Sequence, residues 1–66
     1  MTKNEAAELF IAEYYGSKYN LRKAIDEDKV EVRCNWIDFT DWLCRDGYIT
    51  QKQCDTWICP WRNVYK

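Results

Sequence analysis

The eleven residues LCRDGYITQKQ, Leu43 to Gln53, constrain the fold of this chain more than any other stretch. Gly47 suits the first position beyond a helix, where the backbone turns left-handed and a side chain would be strained. Tyr48 is then expected to fold back over Leu43, as in a Schellman motif. Thr50 and Gln53 have the spacing of a capping box, and Ile49, just ahead of the cap, is placed to staple onto Cys54. One helix therefore stops and another starts within about four residues. Upstream, Trp36, Phe39 and Leu43 line one helical face with Trp42 beside it, while Ile37, Thr40 and Cys44 form a milder second margin. Asn35 is the expected cap and Asp38 falls in the favourable first turn, predicting a central helix over 36–45. Downstream, Cys54, Trp57, Ile58 and Trp61 make the next stripe and Pro60 limits its length, predicting a helix over 51–58. The Asp-Gly pair does not make a calcium loop. Counting from Asp41 puts Asp46 where the loop needs glycine, and counting from Asp46 brings no carboxylate before Asp55.

The N-terminal half is marked by Thr2 and Glu5, a second capping box. Ala6, Ala7, Phe10 and Tyr14 follow on one side at helical spacing, with Ile11 at the margin, and Gly16 supplies a stop; the predicted helix runs over 3–15. Leu21, Ala24 and Ile25 give a two-turn stripe, capped by Ser17 or Asn20. Asp26 to Asp28 then place negative charge at the wrong end for the helix dipole, so this helix should be short, near 21–27. Val30, Val32 and Cys34 alternate at strand period, but a lone strand has nothing to pair with, which predicts an extended connector. The fold class is all-α: one domain over 1–66, a compact bundle of three main helices plus a short fourth.

Charge and composition narrow the function. Ten basic residues face eleven acidic ones, with neither half strongly biased, which argues against nonspecific nucleic-acid binding and against mimicry of DNA by massed carboxylates. The N-terminus has no apolar run long enough for a signal peptide or a membrane span, so a soluble protein of the cytoplasm is expected. Catalysis is not expected, because there is no histidine, no glycine-rich phosphate loop, and no nucleophile with an evident base. Asp38 and Asp41 are read as a solvated face rather than an acid–base pair. Cys34, Cys44, Cys54 and Cys59 are separated by nine, nine and four residues, which fits poorly with the close pairs of structural zinc sites. A reducing cytoplasm disfavours disulfides. The cysteines are read as small buried apolar side chains, with no metal and no cofactor.

Two binding functions remain. Helix 36–45, a tight turn and helix 51–58 have the layout of a helix-turn-helix, whose outward residues Gln51, Lys52 and Thr56, with Arg62 beyond, could contact DNA. Its would-be recognition helix carries one lysine offset by Asp55, so DNA is the alternative partner. The first reading is a protein partner. Four Trp, five Tyr and two Phe make eleven rings, and a domain this small buries only about 60% of its surface, so some rings reach the outside. Trp42, Trp61 and Tyr65 form one candidate contact group, and Tyr15 and Tyr19, around the first corner, form another. Association with further copies of the chain stays open; a membrane does not.

The pattern Trp36-x-x-Phe39-x-Asp41-x-Leu43-x-x-Asp46-Gly47-x-Ile49-Thr50-x-x-Gln53-x-x-x-Trp57-x-x-Pro60 resembles one found in a family of small uncharacterised tailed-bacteriophage proteins. The likeness covers residues 36–60 and brings no catalytic or ligand residue with it. It implies a compact protein made on infection that binds a host protein, a defence system included, and inhibits or redirects it.

Overall fold

The computed structural model describes residues 1–61 and Val64. Three helices follow one another: α1 at Lys3–Tyr14, α2 at Lys18–Arg45 and α3 at Gln51–Thr56, with no strand among the described residues. The all-α prediction holds, and α2 packs against both of the others.

Local signals set the corners. The Thr2 hydroxyl accepts from the Glu5 N–H at 3.2 Å while the Glu5 carboxylate accepts from the Thr2 N–H at 2.9 Å. The α1 stop is Gly16 at φ +83°, whose N–H donates to the Ile11 carbonyl at 2.7 Å. Ser17 then caps α2 by accepting from the Asn20 N–H at 3.2 Å, and the Asn20 side chain donates to the Tyr15 carbonyl at 2.8 Å. At the second corner Tyr48 N–H donates to Leu43 O at 2.9 Å and Gly47 N–H to Cys44 O at 3.1 Å, the two bonds of a Schellman motif. Thr50 and Gln53 close the capping box at 3.1 and 2.8 Å.

Between the corners the structure departs from the prediction. The extended connector is helical, and the elements expected at 21–27 and 36–45 are two arms of one helix of 28 residues. The break falls at Asp28 alone, with φ −157° and ψ 83°. Its carboxylate accepts from the Glu31 N–H at 3.1 Å, so Asp28 ends the first arm by capping the second. Asn35, the expected cap, lies inside the second arm. Val32, Trp36, Phe39 and Leu43 continue a 4-3-4 spacing and all four are buried; Val30 and Cys34 point out. A lone strand would have left its backbone groups unpaired, and the helix satisfies them internally.

The last helix is also shorter than expected, ending at Thr56 rather than 58. Trp57 is extended, at ψ 90°, and its carbonyl accepts from the Trp36 indole N–H at 3.1 Å. Pro60 disfavours helix at Cys59, so the chain leaves the helix before it. The stripe changes accordingly: Ile58 is exposed and Cys59 is buried.

Phe10 is the centre of the core. It is fully buried and meets Trp36 edge-on at 5.3 Å, Phe39 at 5.4 Å, Tyr15 edge-on at 5.6 Å and a stacked Trp61 at 5.6 Å. Ala6, Leu21, Ile25, Ile49 and Val64 complete the interior. Arg33 donates to the Val64 carbonyl at 3.5 Å, which ties Val64 to the second arm of α2.

Candidate functional site

The nominated rings fall into different surroundings. Trp42 stands exposed on the second arm of α2, and Tyr19 is exposed at the start of the first arm. Tyr15 and Trp61 are half-buried against Phe10, and the Tyr15 hydroxyl accepts from the Asn35 amide at 3.2 Å. These two rings serve the interior with most of their surface. Tyr65 and Arg62 lie outside the described residues.

Two surfaces collect what is left. The first is an aromatic ledge. Tyr14 is 44% exposed, Trp42 42% and Tyr48 55%, and the three are linked through contacts rather than scattered. The Trp42 and Tyr48 rings are 5.7 Å apart; Trp42 lies 6.1 Å from Phe39, which meets Tyr14 edge-on at 5.8 Å. Phe39 itself is buried, so it fixes both outer rings from below. Between Tyr14 and Trp42 lies a shallow cavity of about 320 Å³, with Leu9 and Glu13 on its α1 side. Tyr14 and Tyr48 were missed as surface rings because each already had a local task, one in the α1 stripe and one in the Schellman turn. The available signal was that Tyr14 sits in the last turn of α1, where a stripe runs off its partner.

The second surface is a groove of about 770 Å³ between the first arm of α2 and the turn after α3. Tyr19 and Trp61, taken from separate sequence groups, line it together, with Lys18 and Arg22 also lining it.

The helix-turn-helix corner offers less. With six residues α3 is under two turns, and its polar side chains bond within it: Gln51 donates to Asp55 at 2.9 Å and Thr56 to the Lys52 carbonyl at 2.8 Å. Lys52 is exposed on this helix.

The ionisable groups follow structure rather than chemistry. Bonding to the Thr2 backbone N–H holds the Glu5 carboxyl below its usual range, which is the capping box at work. Burial pushes the Cys59 thiol up, and desolvation with the neighbouring Cys44 does the same for Cys54. An activated thiolate needs the opposite shift. Among the described residues no cluster of three His, Cys, Asp or Glu could hold a metal ion, and no helix is long and apolar enough to cross a membrane.

No family model, no curated protein and no solved structure matches this chain.

Proposed function

We propose that this chain is a binding module for a host protein, which it inhibits or redirects by stoichiometric occupation of that protein's surface. The observation that carries the reading is the ledge of Tyr14, Trp42 and Tyr48, three part-exposed rings held in mutual register over a buried Phe39. Trp and Tyr dominate the energetics of protein interfaces, and rings fixed in advance lose little entropy on binding. A standard interface covers about 800 Å² on each partner. That is roughly one-sixth of the 4727 Å² surface of this molecule, so the ledge with its cavity and rim is a large enough centre. Occlusion of a partner's own binding site, or restraint of its motion, then follows from contact alone, without chemistry.

The test is affinity capture with the tagged chain from infected host cells, repeated with Trp42→Ala and Tyr48→Ala. Both positions are exposed, so circular dichroism should report intact folds. One host protein should be recovered by the parent chain and lost with both variants. Recovery unchanged in both variants refutes the ledge. Duplex DNA is the control ligand: a salt-sensitive mobility shift, abolished by Lys52→Glu, would replace this reading with the DNA-binding alternative.

A further inference from the structure

The groove between the first arm of α2 and the turn after α3 has a composition the ledge lacks. Its deepest lining residues, Leu21 and Ile25, are buried aliphatics, with Pro60 and Trp61 facing them from the turn after α3. Lys18 and Arg22 stand four residues apart on α2, one helical turn, so both cations project from the same side. Among the described residues no carboxylate lines the groove, and neither cation forms an ion pair. Asp26, one turn further along from Arg22, is exposed and does not close on it. The ledge cavity has the reverse charge, Glu13 being its one charged lining residue among those described.

We propose that this groove receives an acidic, amphipathic segment of a partner protein. Its apolar side chains fill the space over Leu21, Ile25 and Pro60, and its carboxylates meet Lys18 and Arg22. The proposal deepens the protein-binding reading by giving a second surface and a partner chemistry. It relies on that reading only for the class of partner. A cavity of about 770 Å³ is in the range that takes a ligand of several side chains. Two cations one turn apart match carboxylates one turn apart on a helical segment, and Arg22 can hold one in a bidentate fork. Tyr19, 77% exposed, supplies an apolar wall with a polar tip for the bound segment to pack against. Single-stranded nucleic acid also uses cations beside rings, but it needs stacking faces along a continuous basic track. Here the base of the groove is aliphatic, and the chain carries a net charge of −1.

The test is titration of the full-length, isotope-labelled chain, followed by NMR, with three probes. The first is a peptide of about twelve residues, three helical turns, with Leu and Phe on one side and Glu on the other. The second replaces every Glu by Lys. The third is an oligothymidylate. The Glu peptide should shift the amides of Tyr19, Leu21 and Arg22 and the Trp61 indole. Lys18→Glu with Arg22→Glu should weaken it about tenfold, two surface charge contacts being lost, and should make the Lys peptide the better ligand. Lys18→Gln with Arg22→Gln gives the same comparison should the reversal disturb folding. Trp42→Ala should leave the titration unchanged. Undiminished binding of the Glu peptide to the charge variants overturns the proposal, as does stronger perturbation of the groove by oligothymidylate. Absence of any groove shift with the Glu peptide overturns it too, while host-protein capture lost with Trp42→Ala would in that case leave the ledge standing.

Discussion

The bend at Asp28 decides whether this chain can be compact, and it can be tested with one substitution. A straight helix of 28 residues at about 1.5 Å per residue would run about 42 Å. The molecule measures 31 × 22 × 16 Å, so α2 fits only because it breaks. Leu21 and Ile25 on one arm and Val32 and Trp36 on the other then share one core. The break is an exposed N-cap, a single carboxylate oxygen accepting from Glu31 N–H at 3.1 Å. Asp28→Ala removes the acceptor and introduces the best helix former, so it weakens the bent state and favours the straight one together. The loss should be about 1 kcal/mol, which in a domain of this size lowers the melting temperature by roughly 4–8 °C. Asp28→Asn keeps an oxygen in place and should lose only a fraction of that, which separates the cap from the charge. The charge alone should matter little, since it stands unfavourably at the end of the first arm and favourably at the start of the second. Thermal unfolding followed by far-ultraviolet dichroism reads the stability, and small-angle scattering reads the radius of gyration, 11.4 Å over Cα atoms in the native fold. If Asp28→Ala melted at or above the parent temperature with unchanged dimensions, the bend would be imposed by packing on either side, and the capping account would be wrong.

Three further outcomes are expected. Gly47→Ala should lose about 1–2 kcal/mol in denaturant unfolding, because φ is +83° there; no atom beyond its two chain neighbours lies within 4 Å of the added Cβ, so a much larger loss would mean that something other than backbone strain is at stake. Phe10→Ala should cost about 3–5 kcal/mol, against a total of roughly 3–10 kcal/mol at 0.05–0.15 kcal/mol for each of 66 residues; a variant that still unfolds cooperatively near the parent midpoint would remove Phe10 from the centre of the core. Under native conditions a thiol reagent should modify exposed Cys34 first and Cys59 last, since burial both shields Cys59 and raises its pKa, leaving it in the unreactive thiol form as pH climbs through the range where an ordinary cysteine ionises; mass-mapped alkylation that reached Cys59 early would contradict that placement.

What could be read from the sequence divides by the range of the forces involved. The corner at Gly47 was legible because its determinants are neighbours: a glycine that accepts positive φ, a threonine and a glutamine three residues apart, an isoleucine ahead of the cap. Nothing distant needs to agree for that turn to form. The course of α2 was not legible in the same way. Val30, Val32 and Cys34 satisfy an alternating pattern, while Val32, Trp36, Phe39 and Leu43 satisfy a helical one, and the two patterns share Val32. What separates them is whether the neighbouring backbone groups have strand partners, and with no second strand among the described residues the helical pattern wins. Pro60 limits α3 locally, but that the helix stops as early as Thr56 goes with a contact still further away, the Trp36 indole reaching the Trp57 carbonyl across the core. No local propensity encodes that bond.

The same division explains the candidate surfaces. Aromatic richness showed that some rings must face outward, but which ones is settled by the fold, and Phe10 settles most of it. By drawing Trp61 and Tyr15 against its ring it takes most of the surface of two nominated rings into the core, leaving Trp61 only its groove edge. Trp42 stays outside because Phe39, not Trp42, occupies the inward position of that turn of α2, leaving the indole to rest on the rim of the core beside Tyr48. An exposed ring with a buried ring fixed beneath it differs physically from one that merely projects. It is held in place before any partner arrives, so less ordering entropy opposes binding than for Tyr19, which has no ring contact among the described residues. On that ground Trp42→Ala should weaken capture of the host protein more than Tyr19→Ala does, and the reverse ranking would place the main contact at the groove instead of the ledge.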